Sequence, residues 1–495
     1  MIKDQDLLSI QEARDAVITA SSAQKKFSSF SQEQVDRIIE AIALAAFEQA
    51  ENLAILAVTE TQMGVIEHKK IKNELASKGV YESIRNEKTI GIIQEDSVAK
   101  QIEIAYPYGV IAAVSPVTNP TATAIYKTLI ALKAQNAIVF SPHPTAVNCT
   151  IEALKICQQA AVRAGAPEGL IQWIAHPTLK GTEALMQHKD VQLILATGGS
   201  GLVKAAYSSG KPAYGVGPGN VPAYIDRTAN IARAVQQIMD SKSFDNSTIC
   251  ATEQAIVVHQ DVKDQVMIAL ANNGAVLLKG ADKEKLAKVI SPIPRTLNSK
   301  IVGKPATVIA KMANINVPSS TRVLVAEEHL IGKEYPFSME KLSPILGIYT
   351  ANSHEDAVSI CQQLLDVGGR GHSLAIHAQD ERFVKEFAAQ MPVSRILVNT
   401  LASVGAAGGT TSLMPSFTLG CGAYGGNITS DNISARHLIN KKRVAYGIKE
   451  LSIPKPQHPK NIQDTSPSFQ VNEEAQLNAT MIQKIVEEIV TKLSV

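Results

Sequence analysis

The chain has 495 residues, of which 45% are hydrophobic and 19% charged, a balance that fits a globular protein of about two or three domains. Its formal net charge of +2 gives no support for binding to nucleic acid or to an anionic membrane. The five cysteines are scattered, without CxxC or Cys/His metal spacing, which favours a reducing compartment and argues against a metal site.

The first 50 residues predict two helices. Residues 1–6 open acidic and have no apolar core, so we expect no signal peptide, and no apolar run in the chain reaches the roughly 18 residues of a membrane span. Apolar residues recur at helical spacing over 10–17 and again over 35–45. Ser31, with Gln34 three residues later, is a capping-box pattern for the second helix.

From about residue 109 the pattern alternates between strands and helices, which indicates an α/β fold with parallel sheets covered on both faces. The first set has predicted strands at Val110–Val114, Ala137–Phe140, Leu170–Ala175, Val191–Ala196 and Val221–Ile225, and helices at Ala122–Lys133, Ala146–Ala164 and Leu202–Ser208. The second set has strands at Ala255–Val258, Arg322–Val325, Ile345–Tyr349, Leu374–His377 and Arg395–Val398.

Between these two sets lies Cys250, in the polar, turn-forming stretch SFDNSTICATEQ. A structural cysteine usually lies among apolar residues, because it packs as a small hydrophobe. Loops on a rigid scaffold, in contrast, often carry catalytic groups. On this stretch alone a nucleophile and a surface cysteine without a role both remain open.

SFDNSTICATEQ resembles the nucleophile segment of CoA-acylating aldehyde dehydrogenases, including the aldehyde half of bifunctional aldehyde-alcohol dehydrogenases. The resemblance runs from about Gln11 to about Val444 and includes SPVTNPTATAIYK (115–127), ILATGGSGLVKAAYSSGKPAYGVGPGN (194–220), FSMEKLSP (337–344), RILVNT (395–400) and TLGCGAYGGN (418–427). It implies the aldehyde dehydrogenase fold, with a Rossmann-like cofactor domain, an α/β catalytic domain and strands that join subunits in a homo-oligomer.

The resemblance also implies a division of the chain. We expect a cofactor-binding domain at 1–230, with an oligomerisation strand at about 98–108, and a catalytic domain at 231–425. Residues 426–451 then return to the cofactor and oligomerisation region. The remaining parts are a linker at 452–480 and a targeting helix at 481–495.

The catalytic residues that the resemblance implies are Cys250, as a thiolate nucleophile, and Asn119. By sequence alone Asn119 fits an ordinary Asn-Pro turn. In the matched context it donates to the oxyanion together with the Cys250 backbone N–H, and such donors can be worth roughly 2.7–4 kcal/mol each. His372 begins a strand, and we predict a hydrogen-bonded structural role for it rather than contact with substrate.

The stretch ILATGGSGLVKAA predicts a strand, a glycine turn and a helix, the arrangement that binds phosphate at a helix N-terminus. It is not the GxGxxG fingerprint, and alone it also fits a tight turn. Glu340 would by itself be a solvated charge, whereas the resemblance places it on the nicotinamide ribose. The implied cofactor-binding residues are Ser115, Pro116, Thr118, Thr197, Gly198, Gly199, Ser200, Gly210, Gly215, Gly217, Glu340 and Leu419.

Two departures from hydrolytic relatives bear on the reaction. Those relatives carry a Glu base in the segment that corresponds to Gly215–Pro222, and here it contains no carboxylate. An acyl-enzyme that has no base to activate water should react with a thiol instead, which fits CoA as the co-substrate. Residues 141–144 lack the acidic selector against a 2′-phosphate, so NAD is expected from family habit and NADP stays open.

The other cysteines are predicted to be structural. Cys149, Cys157 and Cys361 are assigned to the core, and Cys421 to a position near the cofactor that acts through its backbone. The segment 401–416 is small and departs from the bifunctional relatives. The aldehyde therefore stays open among acetaldehyde, propionaldehyde and a substituted two-carbon aldehyde such as sulfoacetaldehyde.

The C-terminal end predicts a prolyl, polar linker and then an amphipathic helix. Thr480 and Gln483 form a capping-box pattern, and the apolar stripe consists of Met481, Ile482, Ile485, Val486, Ile489, Val490 and Leu493. Such a tail resembles encapsulation peptides. Met481–Val495 is therefore expected to bind shell or cargo proteins of a bacterial microcompartment in the cytoplasm. Packing on its own domain or a coiled coil in an oligomer are the alternatives.

The function expected from these observations is reversible, NAD-dependent oxidation of a short-chain aldehyde to acyl-CoA through a Cys250 thioester. One alternative is a hydrolytic dehydrogenase that releases a free acid. The other is a non-catalytic cargo or scaffold protein that uses the tail.

Overall fold

The computed structural model describes residues 4–455 and 473–492. The chain divides into two compact units, Met1–Ala445 and Tyr446–Val495. The first unit contains three sheets and the candidate site, and the second contains one helix.

The first unit begins with a group of helices, of which the first two were predicted: α1 (Gln5–Phe27), α2 (Gln32–Glu48), α3 (Ala50–Thr61), α4 (Ile66–Glu74) and α5 (Val80–Ile84). The capping box of α2 is confirmed, because the Ser31 N–H donates to Gln34 Oε1 at 2.8 Å and the Gln34 N–H donates to Ser31 Oγ at 3.3 Å. In the described ranges no single helix is long and apolar enough to cross a membrane, although α2 and α3, bent by 61°, meet that criterion together.

Strands and helices then alternate. In chain order they are β1 (Gly91–Asp96), β2 (Gln101–Pro107), β3 (Val110–Val114), α6 (Pro120–Lys133), β4 (Ala137–Ser141), α7 (Val147–Arg163), β5 (Ile171–Trp173), α8 (Leu179–Gln187), β6 (Val191–Thr197), α9 (Ser200–Tyr207), β7 (Ala213–Val216), β8 (Val221–Ile225), α10 (Ile231–Ser243), β9 (Glu253–His259), α11 (Lys263–Asn272), β10 (Ala275–Leu278), α12 (Gly280–Ile290), α13 (Ala306–Met312), β11 (Val323–Glu327), β12 (Ile345–Ala351), α14 (His354–Val367), β13 (Gly371–His377), α15 (Glu381–Ala389), β14 (Val393–Val398), α16 (Ala402–Ala406) and β15 (Ile439–Ala445).

A parallel five-stranded sheet has the order β5-β4-β3-β6-β7. Every residue of β3 and β4 is buried, which explains their unbroken apolar sequences. The chain runs from β3 outward to β4 and β5, and later from β6 to β7 on the other side of β3. The strand order therefore reverses between β3 and β6, and a crevice at the carboxyl ends of these two strands is the expected ligand site.

A parallel seven-stranded sheet has the order β10-β11-β12-β9-β8-β13-β14. It contains all the strands predicted for the second set, and it also contains β8, which the sequence analysis grouped with the first set. That grouping is wrong: β8 pairs with β9 and β13. Neighbours in sequence do not reveal which sheet a buried apolar strand will join.

The third sheet is antiparallel, with the order β1-β2-β15. Strand β2 lies within the segment predicted for oligomerisation, and β15 within the predicted return segment. All but the first residue of β15 is exposed. Lys441 and Arg443 of β15 pair with Glu103 of β2 at 2.9 and 3.1 Å.

The second unit contains α17 (Glu473–Lys492). This helix begins eight residues earlier than predicted, so Thr480 lies inside the helix and does not cap it. The predicted linker therefore ends before Glu473, and its residues 456–472 lie outside the described part of the chain. Five apolar side chains of the predicted stripe are 52–64% exposed: Met481, Ile482, Ile485, Val486 and Ile489.

Candidate active site

Three loops meet at the amino edge of the seven-stranded sheet, where the neighbouring strands β9, β8 and β13 begin. Cys250 comes shortly before β9, Gly219 shortly before β8, and His372 is the second residue of β13. A Cβ atom on Gly219 would lie 2.3 Å from the Cys250 carbonyl oxygen and 3.1 Å from Cγ of His372. The three residues are therefore packed against one another, and position 219 has no room for a side chain.

Cys250 is paired with His372, whose Nε2 lies 3.2 Å from Sγ. Nδ1 of the same ring lies 3.0 Å from Ser373 Oγ. Burial, with the nearby Arg395, lowers the pKa of His372 to about 3, so the ring is neutral at neutral pH. Burial, with the nearby Glu340, raises the pKa of the Cys250 thiol to about 12. The free protein thus holds a neutral thiol beside a neutral imidazole, and the low pKa of the ring means that it can take the proton only in a step in which the sulfur forms a new bond.

This pairing bears on two sequence-based expectations. His372 is buried and hydrogen-bonded, as predicted, but one of its two partners is the Cys250 thiol. Cys250 was expected to be a ready thiolate, whereas burial and the nearby Glu340 raise its pKa to about 12, so the side chain of the free protein is a thiol. No local pattern indicates the pairing, because 122 residues separate Cys250 from His372.

The turn before Cys250 has an unusual backbone. Asp245, Asn246 and Ser247 have φ values of 49°, 50° and 67°, a left-handed conformation that costs roughly 1–2 kcal/mol for each residue with a Cβ atom. Side chains from distant segments hold it. The Asp245 N–H donates to His68 Nδ1 at 2.8 Å, and Asn246 Nδ2 donates to the Gly303 carbonyl at 3.0 Å.

Asp245 is fully buried and joins this turn to α4. One carboxylate oxygen accepts the Val65 N–H at 2.7 Å, and the other accepts from Lys69 at 3.0 Å and from Lys72. Burial alone would raise the pKa of Asp245, but the two lysines outweigh it and hold the pKa below its usual value. The turn is therefore anchored by a charged group that the fold keeps ionised.

Lys72 also fixes the orientation of Asn119. Its Nζ donates to Asn119 Oδ1 at 2.6 Å and to Thr248 Oγ1 at 2.8 Å. Because an ammonium can only donate, it selects the amide oxygen as its acceptor, and Nδ2 donates to Thr118 Oγ1 at 3.2 Å. That Nδ2 lies 3.4 Å from the Thr248 carbonyl, two residues before Cys250. Asn119 is thus held beside the nucleophile, although it follows a strand of the other sheet.

The carboxyl edge of the five-stranded sheet gathers most of the predicted cofactor-binding residues. Ser115, Pro116 and Thr118 follow β3, and Thr197–Ser200 lie at the end of β6 and the start of α9, on both sides of the strand-order reversal. Thr197 Oγ1 lies 3.2 Å from Thr418 Oγ1, which brings Leu419 near this edge. Helix α9 begins without a side-chain cap, so its amino end suits the phosphates of a dinucleotide.

Two of the predicted cofactor glycines have other structural roles. Gly210 lies between α9 and β7, at the amino edge of the sheet, where its φ of 78° makes a tight turn. Gly215 faces α9, because a Cβ atom there would lie 2.8 Å from a methyl group of Val203. Gly217, in contrast, follows β7 at the carboxyl edge, with open space at its Cβ position.

Glu340 lies beside the Cys250 loop. Its Oε1 accepts the Gly219 N–H at 2.9 Å, so the carboxyl group lies beside the loop that contacts Cys250. Burial raises the pKa of Glu340 to about 8. It is not the solvated surface charge that the sequence alone favoured.

Arg395 is a further residue that the sequence analysis did not single out. This buried side chain donates to the carbonyl oxygens of His372 at 3.2 Å, Gly420 at 2.7 Å and Ser430 at 2.9 Å. It therefore braces the backbone of the histidine that contacts the nucleophile. The sequence signal that could have identified Arg395 is its position as a charged residue in the otherwise apolar run RILV.

The predicted core positions of Cys149, Cys157 and Cys361 are confirmed, since all three are buried. Cys421 is also buried, and burial raises its pKa to about 11. Within the described ranges no group of three or more His, Cys, Asp or Glu side chains is placed to hold a metal ion.

The sequence was compared with known protein families and proteins. Residues 2–302 match the aldehyde dehydrogenase family. The bifunctional aldehyde-alcohol dehydrogenase of Escherichia coli (strain K12) is 47% identical over 441 residues, which cover 88% of this chain and 49% of that protein. The chain thus spans about half the length of this relative.

Two solved structures have the same fold along nearly their whole length. An acetylating aldehyde dehydrogenase from Geobacillus thermoglucosidasius is 52% identical, with a TM-score of 0.90, and the match covers 92% of this chain and 100% of that chain. A propionaldehyde dehydrogenase from the fucose utilisation bacterial microcompartment of Clostridium phytofermentans is 32% identical, with a TM-score of 0.80, and the match covers 88% and 97%.

Proposed function

This chain belongs to the aldehyde dehydrogenase family, and we propose that it oxidises a short-chain aldehyde to an acyl-CoA through a thioester on Cys250. The observation that carries the proposal is the 3.2 Å contact between Cys250 Sγ and His372 Nε2. It supplies a nucleophile with a proton acceptor, next to an Asn119 amide whose donor end is fixed. The similarity to an acetylating aldehyde dehydrogenase supports CoA as the acyl acceptor.

In the first step Cys250 Sγ attacks the aldehyde carbonyl. The S–H bond breaks as the C–S bond forms, and His372 Nε2 takes the proton, because the raised pKa of the thiol disfavours a free thiolate. The carbonyl oxygen becomes an oxyanion that accepts from Asn119 Nδ2 and from the Cys250 backbone N–H. Donors that are already oriented stabilise this charge without a cost of reorganisation at that moment.

In the second half the thioester on Cys250 is transferred to the CoA thiol. Bound NAD supplies the hydride acceptor that makes the thioester possible. His372, once it has released its proton to solvent, takes the proton of the CoA thiol as its sulfur attacks the acyl carbon. The S–C bond to Cys250 then breaks, and the leaving sulfur takes the proton from His372. This is a ping-pong sequence.

The choice of a thiol over water follows from the contacts of the 215–222 segment. Position 219 has no space for a side chain, so no carboxylate from it can reach Cys250. Glu340 is the carboxyl group beside this loop, but with its pKa near 8 it is mostly protonated at neutral pH and is a poor base for water. These observations favour acyl transfer to CoA over hydrolysis to a free acid.

We assign the dinucleotide to the carboxyl edge of the five-stranded sheet, with its phosphates at the amino end of α9 and its ribose at Glu340. The donor set fits, because this edge combines an uncapped helix start with hydroxyl side chains. NAD is proposed as the physiological form, and NADP is the alternative that a comparison of the two KM values decides.

One assay tests the function. The purified protein is mixed with acetaldehyde, NAD and CoA, and absorbance at the NADH band is followed together with the acyl-CoA product. We expect NADH and acyl-CoA in equal amounts, with little NADH beyond the first turnover when CoA is left out. Continuous NADH formation with release of a free acid in the absence of CoA would instead establish the hydrolytic enzyme. A panel of aldehydes in the same assay identifies the preferred substrate.

We also propose that the chain forms a homo-oligomer through the sheet β1-β2-β15, within the domain division given above. Tyr106 and Val444 are apolar side chains exposed on this sheet, and the backbone of its outer strands is available for pairing. Light scattering of the purified protein measures the mass. Replacing both residues by Glu should give a smaller species, whereas an unchanged mass would place the contact elsewhere.

The second unit supports a separate proposal, that Met481–Val495 docks on a shell or cargo protein of a bacterial microcompartment. The exposed apolar stripe of α17 and the similarity to a microcompartment propionaldehyde dehydrogenase favour it. A reporter fused to residues 455–495 should become punctate when shell proteins are co-expressed and stay diffuse when Ile485 and Ile489 are replaced by Glu. A diffuse signal in every case would end the proposal. Loss of the oligomer on deletion of 455–495 would indicate a coiled coil.

A further inference from the structure

A second pocket lies at the carboxyl edge of the seven-stranded sheet, at the opposite strand ends from Cys250. It forms where β8, β13 and β14 end and α10 begins, and its volume is about 200 Å³. The lining residues are Asn230, Arg233, Ala234, Gln237, His377, Gln379 and Asn399. Strand β13 runs from the active site to this pocket, and the five residue steps from His372 to His377 span roughly 17 Å at about 3.3 Å per residue. The pocket is therefore separate from the active site.

The buried wall of the pocket contains polar atoms without partners. His377 is 1% exposed, and within the described residues neither of its ring nitrogens has a hydrogen-bond partner. Gln237 donates its Nε2 to the Asn399 carbonyl at 2.8 Å, but its buried Oε1 accepts no hydrogen bond from those residues. Buried polar groups are almost always paired, so these three atoms call for a molecule that both donates and accepts.

The charges around the pocket select an anion. Arg233 is exposed and contributes a guanidinium, and the amino end of α10, a helix of 13 residues, adds a partial positive charge. Asn230 caps this end, since its Oδ1 accepts the Arg233 N–H at 3.1 Å. None of the seven lining residues is acidic. Asp226, which follows β8, already accepts hydrogen bonds from Thr228 at 2.6 Å and from Tyr224 at 3.1 Å. Burial, with the nearby Arg233, lowers the pKa of His377 to about 4, so its neutral ring offers one donor and one acceptor.

We propose that this pocket binds the phosphate group of a small hydroxylated phosphate ester. The phosphate oxygens accept from the Arg233 guanidinium and from the His377 N–H, next to the partial positive charge at the amino end of α10, a combination that suits phosphate. A hydroxyl of the ligand donates to Gln237 Oε1. The pocket volume of about 200 Å³ is much larger than a single water needs, since one water occupies roughly 10–15 Å³ of the same kind of volume.

Calorimetry on the full chain tests the site. The protein is first saturated with NAD and CoA, which occupy the phosphate-binding parts of the active site. Inorganic phosphate, glycerol 3-phosphate and sulfate are then titrated in separate runs in a phosphate-free buffer. We expect one binding event for each phosphate probe, with glycerol 3-phosphate the tighter of the two. Sulfate should bind at least tenfold more weakly than phosphate, because it has no proton to donate at neutral pH.

Substitutions in the lining test whether the calorimetric binding signal comes from this pocket. Arg233→Gln and His377→Phe should each weaken phosphate binding at least tenfold, whereas Arg227→Gln, an exposed arginine outside the lining, should leave it unchanged. Thermal melting confirms that each variant is folded, and Arg233→Gln is the safer change because its side chain is exposed. Absence of binding to the wild-type protein, equal binding of sulfate, or undiminished binding to Arg233→Gln would each overturn the proposal.

Discussion

The turn that carries Cys250 and the C-terminal helix α17 obtain their conformations in different ways. The turn is costly by itself, with three left-handed residues, and contacts from distant parts of its own unit hold it. Helix α17 is regular, but the five apolar side chains described on it, from Met481 to Ile489, are more than half exposed, and a lone helix of this length is marginal in water. The difference indicates that changes around the turn should alter the chemistry, whereas changes in α17 should alter only what the protein associates with.

The strongest test of this comparison is Cys250→Ala. Acyl-CoA formation should fall by roughly 10⁴-fold or more, because no covalent intermediate can form. NAD binding, measured by fluorescence or calorimetry, should be retained. Cys421→Ala is the control, and it should keep most of the activity. Near wild-type turnover of the Cys250 variant would remove this residue from the mechanism.

His372→Ala should lower kcat by about 10²–10⁴-fold, the range expected when a general base is lost. The same substitution at the exposed His329 should have little effect on kcat. Both variants are compared in single-turnover experiments, which separate acylation from transfer to CoA. If acylation in the His372 variant ran at the wild-type rate, the imidazole would not be the proton acceptor.

The raised pKa of Cys250 predicts how the free enzyme reacts with iodoacetamide. Below the thiol pKa the thiolate fraction rises tenfold per pH unit, so alkylation should accelerate about 10³-fold between pH 7 and pH 10, without a plateau. Mass spectrometry of the peptide that contains Cys250 gives the rate at this residue alone. A plateau near neutral pH would mean that the thiol is already ionised in the free protein.

Lys72 should act through Asn119. Asn119→Ala should lower turnover by about 10²–10³-fold, and Lys72→Met by a smaller factor of about 10–100, because it removes only the group that orients the amide. The double variant should be no slower than Asn119→Ala alone, since coupled residues are not additive. Lys70→Met, on the same helix but partly exposed and paired with Glu51, is the matched control. Additive losses in the double variant would show that Lys72 acts independently of Asn119.

The smallest effect is expected from the tail. Deleting residues 455–495 should change kcat and KM by less than about twofold, because the residues placed at the active site belong to the first unit. Thermal melting of the first unit should also be preserved. A tenfold loss of activity would show that the two regions are coupled and would break the comparison.

Sequence patterns predicted the buried strands well, because an unbroken apolar run such as Val110–Val114 has few other structural uses. Sequence patterns failed for residues whose role depends on which distant residues the fold brings next to them. In the sequence His372 is an ordinary histidine at the start of a strand. Its position near Cys250 becomes evident only from the sheet order, in which β13 lies two strands from β9. Lys69 and Lys72 lie in the polar sequence IEHKKIKNE, which is typical of a solvated helix, and only the fold buries them against Asp245.

Gly219 has a consequence for how this protein can change. Converting the enzyme into one that releases a free acid would need a carboxylate near the thioester, and a single codon change from glycine to glutamate would be the shortest genetic route at this position. That route is closed, since even a methyl group there would collide with the Cys250 carbonyl and the His372 ring. A directed-evolution experiment that selects for acid release should therefore recover changes at neighbouring positions, or substitutions of Glu340, and none at residue 219.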